Sequence, residues 1–266
     1  MNLVRFPGLN LEFNISSVAF KIFGIEIYWY AILIVSAMIL ALIMFKKRDG
    51  LYEIKFNDVI DLSLYVIPIS IVSARLYYIL FNLEYYIQNP KEILILRNGG
   101  IAIYGAVIGG LITCFIFCKK KKISLLDLMD FVAPGLVLGQ AIGRWGNFVN
   151  VEAYGTSTNS LLRMGIIEAG GYIEVHPTFL YESVACLAIF IILLILKNKR
   201  KFKGQIACTY FMLYSLERFF VEGLRTDSLM FKDIRVSQML SAIIFATSLI
   251  IYLVKLYRLR SKVDKL

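Results

Sequence analysis

Seven apolar stretches constrain this chain more than any other feature. They cover approximately residues 28–45, 59–81, 101–118, 128–142, 178–196, 206–224 and 236–254. Most approach the roughly 20 residues a helix needs to cross a bilayer. The fourth is short and contains Pro134, which predicts a tilted or only partly spanning helix. Hydrophobic residues make up 59% of the 266 positions and charged residues 18%, and mean hydropathy is +0.71. These values lie outside the soluble globular class. The expected fold class is an all-α polytopic membrane protein with about seven transmembrane helices, forming a single integral-membrane domain over 1–266.

The net charge of +10 is distributed in short runs between the apolar stretches. Lys46, Lys47 and Arg48 form one. Lys119, Lys120, Lys121 and Lys122 form the next, followed by Lys197, Lys199, Arg200, Lys201 and Lys203. The last holds Lys255, Arg258, Arg260, Lys262 and Lys265. A nucleic-acid surface would gather such residues on one patch, so no nucleic acid is expected as a partner. Runs after the first, third, fifth and seventh stretches follow the positive-inside rule. They predict a cytoplasmic C-terminus and an N-terminus outside. The largest outward part is then 143–177, an extracytoplasmic head or small cap. Within it, 161–167 and 172–176 flank Gly170-Gly171 as a short hairpin. Residues 83–96 read as an interfacial amphipathic helix.

Cys114, Cys118, Cys186 and Cys208 all sit inside apolar stretches, and His176 is the only histidine. They read as small packing residues, with no metal site and no cofactor expected. Arg5, Pro7 and Glu12 in the first 20 residues argue against a cleavable signal peptide.

Polar chemistry concentrates in a few places. The run Gly143-Arg144-Trp145-Gly146-Asn147-Phe148-Val149-Asn150-Val151-Glu152-Ala153-Tyr154-Gly155 brings a cation, two amides and a carboxylate to the edge of an apolar stretch. Arg144 can hold a phosphate through paired hydrogen bonds. Glu152 can orient an arginine or accept a proton, and the glycines permit close backbone approach. In the sixth stretch Tyr214, Arg218, Glu222 and Arg225 recur at intervals of four, four and three, on one helical face. Ionisable groups within a membrane segment face a partner or a wet cavity. An internal ladder of Arg218 with Glu222 and Glu217 is the plainer reading, and the two are compatible. Glu182, after His176-Pro177, can balance an arginine. His176 has a suitable unperturbed pKa for a base, although a lone histidine before proline also serves structure. Arg75 either holds carbonyls or binds substrate. Gly105 with Gly109, and Gly135 with Gly139 and Gly143, have the spacing of close helix packing. Together these residues suit a membrane-bound lipid phosphate undergoing displacement, with arginines stabilising the leaving charge. A lipid or ion transporter using the same charged residues is the alternative; no convincing internal repeat supports it.

With these residues assembled, the chain resembles the bacterial prolipoprotein diacylglyceryl transferase family. The run from Gly143 to Gly155 matches that family's signature at every fixed position. Trp29-Tyr30, Arg75, His176-Pro177 with Tyr181-Glu182, and the series Tyr214, Arg218, Glu222, Arg225 resemble its other elements. The resemblance implies transfer of the diacylglyceryl group of phosphatidylglycerol to the lipobox cysteine of a prolipoprotein signal peptide. A thioether forms and glycerol phosphate is released, at the bacterial cell membrane. It further implies that Arg144 and Arg218 bind and polarise the phosphate, that Glu152 and Glu222 orient them, and that Asn147 and Tyr30 shape the headgroup pocket. Gly155, Tyr214, Glu182, Arg225 and Arg75 are the remaining candidates for substrate binding. One position departs from the family. Tyr104 stands where the family has a histidine proposed to deprotonate the thiol. A phenol with a pKa of about 10 is a poor base for a thiol of about 8.5, so the proton acceptor stays unidentified.

Overall fold

The structure is a computed structural model describing residues 2–95, 99–168 and 170–263. The chain opens with strands β1 (Asn2–Phe6), β2 (Leu11–Ile15), β3 (Val18–Ile22) and β4 (Ile25–Tyr28). Helices α1 (Trp29–Lys46), α2 (Phe56–Phe81), the short α3 (Leu83–Gln88), α4 (Ile103–Lys121) and α5 (Leu125–Asn150) follow. The hairpin β5 (Met164–Glu168) and β6 (Gly171–Val175) precedes α6 (Thr178–Leu196) and α7 (Gln205–Leu224). A two-residue pair, β7 (Met230–Phe231) and β8 (Ile234–Arg235), leads into α8 (Val236–Val263).

Six helices among the described residues are long and apolar enough to cross a membrane. The remaining expected segment is α7, which is 20 residues long but carries Glu217, Arg218 and Glu222. The fourth stretch differs from expectation. It forms a 26-residue helix running through Pro134 to Asn150, so the polar run begins inside a helix rather than after it. Trp145 and Phe148, three residues apart, pack on Phe179 with ring centroids at 5.5 and 4.6 Å. That contact outweighs the helix-weakening glycines at 143 and 146. The expected interfacial helix is instead α3 followed by a 3-10 turn at Pro90–Leu94, because Pro90 cannot continue α3. Leu96, Asn98 and Lys265 lie outside the described residues.

The described chain groups into two compact units. Phe45–Phe131 forms one. In it α4 lies against α2 through Gly105 and Gly109. A Cβ on Gly105 would fall 2.9 Å from the Ala74 Cα, and one on Gly109 would collide with Ser73. The second glycine series behaves otherwise: Gly139 and Gly143 have open space where a Cβ would stand. Lys121, at the end of α4, pairs with Asp58 and Asp61 at 3.2 and 2.8 Å.

Arg75, on α2, is buried and holds the loop beyond α3. Its Nε donates to the Ile93 carbonyl at 3.0 Å, Nη1 to Gly99 and Gly100 at 2.9 and 2.8 Å, and Nη2 to Glu92 and Ile95 at 2.5 and 3.1 Å. The Tyr86 ring covers the guanidinium, 5.1 Å from centroid to Cζ. All five N–H groups of an arginine are thus engaged by main-chain carbonyls, which leaves none for a headgroup in this arrangement. Arg75→Ala is expected to lower stability by about 3 kcal/mol or more, since five part-buried bonds to one loop are lost together with a buried side chain. Lysine, with three donors, should restore only part. Denaturant unfolding in detergent checks this, and a midpoint equal to that of the parent would contradict it.

The other unit comprises the described residues of Met1–Met44 and Val132–Leu266. Its helical core joins Ala133, Val137 and Ala141 of α5, Cys186, Ile189 and Leu193 of α6, and Ile206 and Tyr210 of α7. α8 lies along α7, fixed by Gln238 Nε2 donating to the Phe219 carbonyl at 3.0 Å and Gln205 Nε2 donating to the Tyr252 hydroxyl at 3.2 Å. At one end a four-stranded antiparallel sheet has the order β2-β1-β5-β6. Val4, Phe6, Met164, Ile166 and Val175 point from it onto Phe179 and Phe148. This second core seats the sheet on the end of α5 and the start of α6, beside the polar run.

Candidate active site

The polar cluster is assembled by three helices around one carboxylate. Glu182, in the second turn of α6, is 1% exposed. Arg144, on α5, brings Nη2 to 2.5 Å from Glu182 Oε2. Arg218, on α7, donates from Nη1 to the same oxygen at 3.1 Å and from Nη2 to Glu222 Oε2. Arg225, which ends α7, reaches Glu182 Oε1 at 3.4 Å. It also grips Asp227 through Nε and Nη2 at 2.9 and 2.7 Å, and these bonds hold the Asp227 carboxyl below the usual carboxylate range. Glu222, also 1% exposed, follows Arg218 by one helical turn, so their pairing is dictated by α-helix geometry. By contrast Glu217 does not join this ladder: neither of its oxygens has a hydrogen-bond partner among the described residues. Glu217 is offset by about 100° around α7 from Arg218, so it lacks the one-turn spacing that pairs Arg218 with Glu222, yet it stays within electrostatic range of Glu182, Arg144 and Arg218.

The two carboxylates are sealed, whereas Arg144 and Arg218 keep 21% and 19% of their side-chain surface accessible. The arrangement therefore offers two oriented guanidiniums whose far sides are held by buried acid. Such a fork suits a phosphate or another oxyanion.

A second network runs along the end of α5. Arg144 Nη1 donates to Asn147 Oδ1 at 3.3 Å, and Asn147 Nδ2 donates to Glu152 Oε1 at 2.9 Å. Asn150 Nδ2 reaches the same oxygen at 3.3 Å. Glu152 thus meets Arg144 through Asn147. The turn that carries it is strained: Val151 and Ala153 have φ of 53° and 59°, a region that L-residues avoid. Thr178 Oγ1 donates to the Ala153 carbonyl, and Gly155 N–H donates to the His176 carbonyl at 2.9 Å. A Cβ on Gly155 would stand 2.7 Å from His176 Cβ and 3.0 Å from the Leu224 carbonyl oxygen, so only glycine lets this loop pass the end of α7. The spacing of the run gave no sign of Thr178, or of Asp227 as the partner of Arg225.

Other expected residues take supporting places. The Tyr30 ring, on α1, lies where a Cβ on Gly146 would collide with it. Gly146→Val should displace that ring and lower stability by about 1–3 kcal/mol, the usual cost of overpacking; an unshifted unfolding midpoint would contradict the contact. Tyr214 stacks on Tyr210 with centroids 5.7 Å apart. Trp145 Nε1 donates to Ser183 Oγ at 3.0 Å, which donates to the Ala141 carbonyl at 2.9 Å. His176 Nδ1 lies 3.3 Å from the Tyr181 hydroxyl. Tyr104 is at the start of α4 in the Phe45–Phe131 unit, its ring 6.5 Å from Tyr77.

Comparison with known proteins agrees with this pattern. The family model for prolipoprotein diacylglyceryl transferase matches residues 17–254. A phosphatidylglycerol--prolipoprotein diacylglyceryl transferase of Finegoldia magna is 48% identical over 235 residues, 88% of this chain and 93% of that protein. Proteins with the same name from Clostridioides difficile and Enterococcus faecalis are 47% and 45% identical, covering 85% and 91% of this chain and 90% and 91% of their own lengths. The match takes in every residue of the Arg144–Glu182–Arg218 cluster, and the chain belongs to the prolipoprotein diacylglyceryl transferase family.

Proposed function

We propose that this protein transfers the diacylglyceryl group of phosphatidylglycerol to the lipobox cysteine thiol in the signal peptide of a prolipoprotein. The sulfur bonds to the glyceryl carbon, the bond from that carbon to the phosphate oxygen breaks, and glycerol phosphate leaves. The observation that carries this reading is the pair Arg144 and Arg218, both held on one buried Glu182 oxygen with their outer faces accessible. Oriented donors of this kind stabilise charge that develops on a departing group. Arg144 and Arg218 bind the phosphate. Glu182 and Glu222 fix their orientation, and Glu152 acts through Asn147. Tyr30, beside Gly146, shapes the headgroup pocket. Arg225 secures Glu182 from the side of Asp227, while Arg75 holds its loop.

The family argues for a bacterial plasma membrane location, and the basic runs argue for the N-terminus outside and the C-terminus cytoplasmic. The sheet β2-β1-β5-β6 then caps the extracytoplasmic ends of α5 and α6. The test is purified protein in phosphatidylglycerol liposomes with a lipobox peptide. The expected result is a peptide mass increase by one diacylglyceryl group with equimolar glycerol phosphate. Lipid movement across the bilayer without a covalent product would favour a transporter and overturn this reading.

A further inference from the structure

Three guanidiniums and three carboxylates pair off in the cluster: Arg144, Arg218 and Arg225 with Glu182, Glu222 and Asp227. Glu217 lies beyond that balance. Unlike Glu152, which accepts from Asn147 and Asn150, it has no donor among the described residues, and both its oxygens are shut off from solvent. Yet it lies within electrostatic range of Glu182 on α6, Arg144 on α5 and Arg218 on α7. Cys186, fully buried one turn along α6 from Glu182, feels it as well. The two arginines facing it are already engaged by Glu182 and Glu222. A carboxylate taken out of water without a cation or donor of its own is so unfavourable that the group keeps its proton instead.

A neutral acid in that place has a use. Glu217 is within electrostatic range of both arginines assigned to the phosphate. When the carbon–oxygen bond breaks, the departing oxygen gains a negative charge on a group that already carries one. The arginines disperse part of it, and a proton removes the rest. We propose that Glu217 is a neutral carboxylic acid in the resting protein and the general acid that protonates the departing phosphate oxygen. This rests on the transfer reading given above. The carbon–sulfur bond forms as the carbon–oxygen bond breaks. The Glu217 proton passes to the phosphate oxygen, and glycerol phosphate leaves as a monoanion. The proton lost by the thiol restores Glu217, directly or through water.

The experiment compares the parent with Glu217→Gln in liposomes, using phosphatidylglycerol and a second donor with sulfate in place of phosphate. The departing oxygen of a sulfate needs no proton. Glu217→Gln is expected to lower kcat with phosphatidylglycerol by about 10²–10⁴-fold, the usual weight of general-acid catalysis, with little change in KM. The fall in parent kcat at high pH should be missing from the variant, and the sulfate donor should react at similar rates with both proteins. Infrared spectroscopy reads the resting charge without turnover. The carbonyl stretch of a protonated carboxylic acid should be present in the parent and missing from Glu217→Gln. Equal kcat of the two proteins on phosphatidylglycerol, equal losses on both donors, or no protonated-acid band in the parent would each overturn the acid role alone. A parent that forms no thioether would overturn the transfer reading and the acid role with it.

Discussion

Arg218→Ala is expected to reduce diacylglyceryl transfer by about 10²–10³-fold, the loss typical when one preorganised donor to a developing anion is removed. Among the described residues Arg218 is the one arginine paired with both sealed carboxylates, Glu182 at 3.1 Å and Glu222. Those two contacts fix the plane of the guanidinium before substrate arrives. Arg218→Lys should recover little, because a compact ammonium on a flexible stem cannot span two carboxylates and still present a planar fork to phosphate. Arg144→Ala should fall in the same range. Steady-state kinetics with phosphatidylglycerol and a lipobox peptide measures all three variants. Parent-like turnover in either alanine variant would place the phosphate elsewhere.

Glu182→Gln is expected to have the largest effect on stability, about 3–5 kcal/mol, the range found when one member of a buried ionic group is removed. Glu182 accepts from three arginines on separate parts of the chain. Without its charge, Arg144, Arg218 and Arg225 face one another with too little compensation, and the new amide adds a donor where only acceptors are useful. Transfer activity should fall with it, since Arg144 loses its ion-pair partner. A double-mutant cycle separates the repulsion from simple loss of contacts. Adding Arg225→Gln to Glu182→Gln should cost much less than Arg225→Gln costs alone. Additive losses would mean that the three cations are independent.

Which parts of this were legible in the sequence follows from the range of each signal. The spanning helices were, because each is a long apolar run whose identity needs no partner: α1, α6 and the start of α8 fall within a residue or so of the apolar boundaries. The extent of α5 was not. Its last two turns are held by Trp145 and Phe148 on Phe179, a contact supplied by a segment about 30 residues later. The four-residue spacing on α7 announced the pairing of Arg218 with Glu222, which is local. That Glu182 would be the common acceptor for arginines from α5 and α7 could not be read from any spacing. Glu217 shows the opposite error. Adjacent to Arg218 in sequence, it reads as one more rung of the ladder, whereas its oxygens have no hydrogen-bond partner among the described residues. Arg75 left two readings open that only its five carbonyl partners separate.

The sheet β2-β1-β5-β6 implies a particular order of assembly during synthesis. β1 and β2 are made before the other strands of the sheet and pair as a local hairpin, Asn2 opposite Ile15. The neighbour of β1 on its other side is β5, joined where Arg5 stands opposite Gly165. About 160 residues and five helices separate them, so that edge stays open until α5 has been made. The strained turn at Val151 and Ala153 lies between α5 and β5, and the tyrosine-bearing start of α1 follows β4. The late zippering of β1 onto β5 therefore joins the strands ahead of α1 to the hairpin after α5, alongside the contact of Tyr30 with Gly146. A bulky tag fused ahead of β1 would burden that step while leaving every membrane helix intact.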